Sequence, residues 1–443
     1  MALLVYFINL FIGSNMLAML LNGLSLMLLL SAMVAAGRFY FIMTAMFLIC
    51  SVAFLVIWEK SWIEMTNGFS TMVKLILFIG IVPLISFPVQ GYVPEIKKML
   101  LALNDKTSSF KVSHYASFIL ANMINLAALP ISKVIFFQDG ANRARQMLYG
   151  ELTIRSFALA MMVTPIGAAI AVAVDLTGTK WSSVLSVNFL IVWLGLFISY
   201  ALTRKKRELM ELREQEHEEG SLPVEKPNYA LLVSGFLPFG AYFLFLIISD
   251  GSLELGIMEL ILLSVLPFTF VWSILQKKTV GWWNAVLFQI FQQNPKSFGQ
   301  YAVIISAGLF LHTIELTGID EKFSEVLPGI GLEKAAYFYI PVTIFVVLFL
   351  SMLGVHQFVA MIFMGELIDP EWFGIAPTVY ASSLLIGFAS GMLSSSFSGA
   401  NILMSNLLSD ASSYELGKKH YLFTFIFICI STAVLVVVNT YVF

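Results

Sequence analysis

Apolar residues in this chain neither alternate nor gather on one helical face. They run in stretches of about 20, each closed by charges or by Gly and Pro, and a helix of that length matches the hydrocarbon core of a bilayer. The pattern predicts spans near 16–36, 38–58, 70–89 and 183–203, and again near 228–249, 254–275, 299–317 and 420–442. Two further stretches, 115–137 and 336–368, are interrupted in the middle. Two more, 152–176 and 375–409, are long enough to cross but carry Gly, Pro, Thr and Ser at their centres. A short apolar segment, 1–13, comes first. It lacks a basic n-region and a small-residue cleavage site, so a retained helix is expected.

Composition narrows the class. Hydrophobic residues make up 59% of the 443 positions and charged residues 12%, against about 25% charged in soluble domains. With a mean hydropathy of +0.88, a soluble enzyme is excluded. The chain reads as an all-α polytopic membrane protein embedded in a lipid bilayer. Lys+Arg (25) and Asp+Glu (27) nearly balance, so nucleic acid is not an expected partner. Cys50 and Cys429 both lie in apolar runs and suggest neither a disulfide nor a metal site.

Charge sets the expected topology. The hydrophilic segment 204–227 (RKKRELMELREQEHEEGSLPVEKP) reads as a cytoplasmic linker between two membrane repeats, 1–203 and 228–443. With 204–227 inside, most Lys and Arg fall on the cytoplasmic side, among them Arg38, Lys97, Lys98, Arg143, Arg145, Lys277, Lys278, Lys418 and Lys419. Lys60, Lys74, Lys180, Lys322 and Lys334 do not. The bias survives only if 115–137 and 336–368 each leave by the face they entered, as re-entrant hairpins. Each half then reads as three spans, a hairpin, a broken helix (152–176; 375–409) and a final span. The first begins outside and the second inside, an inverted-topology repeat as in secondary transporters. The C-terminus falls outside, and the plasma membrane is the expected location. The Trp-rich stretch 281–295 fits an interfacial helix, and 91–112 is expected to take its matching place in the first half.

Non-helical backbone at membrane depth occurs where protein or a water-filled cavity satisfies it, so the interruptions carry the candidate site. The first hairpin turns at Ala121-Asn122-Met123-Ile124-Asn125, the second at Leu353-Gly354-Val355-His356-Gln357. The broken helices read Val163-Thr164-Pro165-Ile166-Gly167 and Ser394-Ser395-Ser396-Phe397-Ser398-Gly399-Ala400-Asn401. Gly permits close approach, Pro ends the hydrogen-bond ladder, and amides and hydroxyls bind polar ligands. Half-helix N-termini favour anions, and freed carbonyls suit Na⁺.

This arrangement resembles the ion transporter superfamily, which includes divalent-anion/sodium symporters, arsenite permeases and NhaD-type sodium/proton antiporters. Asn122 and Asn125 resemble its amide-bearing first tip. Thr164-Pro165-Ile166-Gly167 resembles its Thr-Pro-x-Gly break, and Ser398-Gly399-Ala400-Asn401 the second counterpart. The Ser-Asn-Thr signature of the symporters does not occur, and His356 and Gln357 stand where many members carry Asn. The resemblance implies a homodimer.

The expected function is secondary active transport of a small, anionic solute by alternating access, coupled to Na⁺ or H⁺. The alternatives are a cation/proton antiporter of the same fold, or a lipid-handling protein or enzyme. No HExxH, GxSxG or P-loop occurs, so catalytic residues and a cofactor are not expected. Candidate substrate-binding residues are Asn122, Asn125, Thr164, Gly167, Arg155, His356, Ser396, Ser398 and Asn401, with Asn122 and Asn401 as a candidate Na⁺ site. Arg155 reads either as an anion-attracting charge or as a snorkelling side chain. His312 and Glu315 share a helix face as a relay or a structural pair. Asp175 and Glu259 read as interfacial.

Overall fold

The structure, a computed structural model, describes residues 1–104, 109–137, 142–208, 226–253, 255–318, 336–408 and 411–443. Among these residues the chain is all helix and loop. Ten segments are long and apolar enough to cross a membrane. Most of the linker therefore lies outside the described residues, as do Lys322 and Lys334.

The first half holds α1 (Ala2–Ile12), α2 (Asn15–Ala35) and α3 (Arg38–Ile57). A kinked span follows from Trp62 to Gln90: α4 (Trp62–Thr66), α5 (Val73–Ile81) and α6 (Phe87–Gln90). Pro83 and Pro88 sit at its kinks and withhold backbone donors. Then come α7 (Val93–Asn104), the pair α8 (Ser109–Ile124) and α9 (Ala128–Phe136), the pair α10 (Arg143–Ala160) and α11 (Ala168–Thr177), and α12 (Trp181–Leu202). The second half holds α13 (Tyr229–Ser252), α14 (Ile257–Leu275), α15 (Thr279–Phe288) and α16 (Phe298–Thr317). It continues with α17 (Ala336–Met352) and α18 (Gln357–Leu367), α19 (Pro377–Ser394) and α20 (Gly399–Leu407), and α21 (Ser413–Tyr441).

The expected spans form, but the third begins at Trp62, α10 at Arg143 and α21 at Ser413, each earlier than expected. Helix α10 starts at Arg143 rather than near 152, because Asn142 caps it by accepting from the Ala144 N–H at 3.0 Å. And the amphipathic segments do not match in position. Helix α15 precedes the third span of its half, whereas α7 follows the third span of the first half. The short α4 is what occupies the place of α15.

The interrupted stretches fold back on themselves. Ser117 and Ser132 hydroxyls lie 3.0 Å apart, which a continuous helix would separate by about 22 Å. The second arms, α9 and α18, contain 9 and 11 residues. At 1.5 Å per residue neither reaches across a hydrocarbon core of about 30 Å. The first turn is made at Asn125 in the left-handed region (φ 50°) and the second at Gly354 (φ 98°). A Cβ on Gly354 would also stand 2.8 Å from the Phe39 ring.

Burial separates a centre from a periphery. Helix α10 is buried from Met147 onward and α19 along nearly its whole length, the mark of helices enclosed on all sides. The outer helices instead expose large apolar side chains, including Met27, Leu30 and Val34 on α2 and Leu237, Leu244 and Phe245 on α13. In water such a surface would aggregate; in lipid it is the natural one.

Candidate functional site

Both broken helices stop for identifiable reasons. In the first, Pro165 cannot donate, so α10 ends and the backbone turns through 161–166 until Gly167 caps α11. The carbonyls released there find partners: Asn188 Nδ2 donates to Met162 O (2.8 Å) and Trp181 Nε1 to Val163 O (3.4 Å). Thr164 donates its hydroxyl to Asn122 O in the first hairpin at 3.0 Å. In the second, no proline is needed. Ser395 takes an extended conformation and Ser398 caps α20, accepting from the Asn401 N–H. Asn401 is buried and turns its amide back, donating to Met392 O, Leu393 O and Ser395 O at 3.3, 2.8 and 2.9 Å.

The two hairpin tips and the two restarted helices meet around one cavity of 180 Å³. From the first half it is lined by Asn125, Leu126, Phe157, Met161 and Ala168, and from the second by His356, Gln357, Phe358, Phe388, Met392, Gly399 and Ala400. Phe78, Ile79, Val82 and Pro83 of the kinked span and Gln300 of α16 complete it. The start of α11 and the start of α20 both reach this space, so two positive helix ends converge on it. No side chain with a fixed charge lines it. Pro83 and Leu126 are solvent- or lipid-exposed, so the cavity opens on their side.

The candidate residues divide. Asn125 and His356 line the cavity. Asn125 sits in the strained left-handed conformation and points its amide toward Ile166 O at 3.5 Å. His356 caps α18 by accepting at Nδ1 from the Phe358 N–H (3.3 Å). A neutral ring in that role carries its proton on Nε2, which leaves a donor for a solute. Thr164 and Gly167 stand at the first break, where the Gly167 N–H donates to Thr164 O at 3.0 Å. Asn122, Ser398 and Asn401 serve backbone: Asn122 donates to Phe118 O at 2.9 Å. Ser396 lies partly exposed in the second break, outside the cavity lining. Asn122 donates within α8 and Asn401 closes the end of α19, and Asn401 Oδ1 is among the buried oxygens left without a hydrogen bond.

Arg155 does not reach the cavity. It is 2% exposed and donates to Glu151 (2.6 Å), to His420 Nδ1 (3.2 Å) and to Lys419 O (3.0 Å), with its guanidinium 4.8 Å above the Phe423 ring. It joins α10 to α21, and neither reading of it as a free or snorkelling charge holds. His312 and Glu315 form a pair at 3.3 Å that also holds Glu64 O, which fits the structural reading.

Gln300 and Gln357 are cavity residues outside the expected set. The signal for Gln300 was an amide two residues into an apolar span, and for Gln357 its place beside His356. A second group could not be found from sequence at all: Lys74, Asp175, Glu259 and Tyr6 come together from four helices. Among the described residues no three His, Cys, Asp or Glu side chains gather as a metal-ligand set.

Comparison with known proteins gives a fold. No family model and no curated protein matches the chain. A solved structure does: the YdaH transporter of Alcanivorax borkumensis, described as having an unusual topology. The match has a TM-score of 0.62 and covers 90% of this chain and 98% of that one, at 11% identity. The chain is therefore a membrane-embedded protein with a transporter-like fold.

Proposed function

We propose that the chain is a secondary active transporter that binds a small solute, with one anionic or polar end and an apolar body, in the central cavity. One observation carries this: both hairpin tips and both restarted helices converge on a single cavity that is polar at a few points and apolar elsewhere. Asn125, Gln300, Gln357 and His356 offer hydrogen bonds, and Phe78, Phe157, Phe388, Met161 and Met392 offer an apolar wall. Two helix N-termini and an imidazole donor, with no carboxylate beside them, favour an anionic end over a cation. In this reading the two halves form an inverted repeat with re-entrant hairpins, and access alternates between faces. Coupling runs through Na⁺ or H⁺. The linker 204–227 is cytoplasmic, the C-terminus is outside, and the chain works as a homodimer in the plasma membrane, as the family resemblance implies. The protein acts as a carrier rather than an enzyme.

The test is a thermal-shift screen of the purified protein against small organic and inorganic anions, with and without Na⁺. A ligand at 100 times its Kd stabilises by about 2.7 kcal/mol, a readable shift. A hit should then be taken up by proteoliposomes under an Na⁺ or proton gradient. Uptake indifferent to every gradient, or no hit across the anion classes, overturns the reading.

A further inference from the structure

A second cavity of 360 Å³ lies beside the central one. Its lining includes Lys74 and Leu75 of α5, Val172 and Asp175 of α11, and Ile362 and Glu366 of α18. The same three helices line the central cavity one turn away: Phe78 of α5, Ala168 of α11 and Phe358 of α18. Each pair falls on one helical stripe, at positions 74 and 78, 168 and 172, and 358 and 362. Residues four apart share a face and differ by about 6 Å in height. The two cavities are therefore separated by a single layer of apolar side chains, and Leu75, Val172 and Ile362, each 3% exposed, form it.

They also reach the surface at different places. The second cavity lies at the C-terminal end of α11, next to the start of α12 and so remote from the 204–227 connection. A third cavity, of 390 Å³, shares Leu176 and Glu366 with it and continues along the 365–377 segment. The central cavity opens instead past Pro83 and Leu126. Pro83 precedes α7 by about ten residues along the chain, and Glu95 of α7 accepts from the Asn228 N–H just after the linker.

An ion pair lies beside the apolar layer on the vestibule side. Lys74 Nζ is 2.7 Å from Asp175 Oδ2 and 3.6 Å from Glu259 Oε1. Glu259 is held in place, accepting from Tyr6 OH at 3.2 Å and from the Gly256 N–H at 3.2 Å. Asp175 rests against Gly256, where a Cβ would come within 2.8 Å of its Oδ1. The pair thus ties α11, which carries the broken helix, to α5 and α14.

We infer that the solute's second route to the central cavity runs between α5, α11 and α18, and that it is shut here by the Leu75–Val172–Ile362 layer and latched by the Lys74–Asp175 pair. Separating α11 from α5 breaks the pair and parts the layer together, which opens the vestibule to the central site. Glu366 lines the vestibule wall.

The route presupposes the transport reading of the cavity, but it is tested without any solute. The full chain with Cys50→Ser and Cys429→Ser is placed in sealed vesicles of uniform orientation. The probe is a membrane-impermeant trimethylammonium-ethyl methanethiosulfonate. Thr71→Cys, in the vestibule, defines the face that labels; Gln300→Cys should label from the other face. From the Thr71 face, Ala168→Cys should be protected in the parent. Lys74→Ala or Asp175→Ala should speed its labelling about tenfold, within the range of ordinary coupling between sites. The swap Lys74→Asp with Asp175→Lys should return protection, and it also controls for damage to the fold. A rate unmoved by both single variants, a swap that leaves labelling fast, or Thr71→Cys and Gln300→Cys labelling from one face, overturns the latched route. Protection that behaves as expected in a protein that transports nothing would overturn the transport reading and leave the route standing.

Discussion

At the scale of single residues, two kinds of asparagine separate. Asn401 holds three carbonyls at the end of α19. Removing its amide leaves buried acceptors unpaired, at about 1–3 kcal/mol each. Asn401→Ala should therefore lower the melting temperature in detergent before any effect on solute is read. Asn125 faces the cavity with one weak bond to Ile166. Asn125→Gly, which tolerates φ 50°, should leave the melting temperature nearly unchanged and weaken solute binding about tenfold, the loss of one hydrogen bond to a charged group. Arg155 follows the first pattern. Arg155→Met strands the buried Glu151 carboxylate and should cost about 3 kcal/mol. Lys206, 3.3 Å from Glu151, keeps the loss at that lower end. The double variant with Glu151→Gln should recover most of it in thermal unfolding, because no unpaired charge then remains.

At the scale of elements, the hairpins matter most. Lys111 lies near the start of α8, and Asn142 caps α10 just after α9 returns. Cysteines at 111 and 142 should label from the same membrane face, and opposite faces would mean that the stretch crosses once. Gly354 turns the second hairpin at φ 98°. Gly354→Ala should cost about 1 kcal/mol or more from backbone strain alone, read as a lower melting temperature, and its Cβ would further press on Phe39. The helix breaks in these stretches were legible because amide and glycine residues interrupt the apolar runs. The start of α10 was not, because RARQ reads as loop until Asn142 caps it and the bundle covers its next turn.

At the scale of the whole molecule, the central cavity meets the surface at Pro83 and Leu126, and one apolar layer of Leu75, Val172 and Ile362 stands between it and the second cavity. On the transport reading proposed above, that asymmetry is what a carrier facing one side requires. Our homodimer reading is checked by mass in nanodiscs: two chains of 49.3 kDa are expected together, and a single chain would leave the fold intact but remove the dimer.

The sequence by itself determined the membrane class, the order of the spans and the places where helices break. Each of these follows from local chemistry: run length against bilayer thickness, Pro without a donor, and Gly without a side chain. It also brought Asn125 and His356 to the candidate site, since both sit at an interruption. Only the tertiary structure decided which polar groups face the cavity and which close the backbone, because the partners of Arg155 and Asn401 depend on how whole helices pack. The same holds for Lys74 and Asp175. They lie on separate spans, each at an apolar–polar border that reads as interfacial, and only the packing of α11 against α5 and α14 makes them a pair.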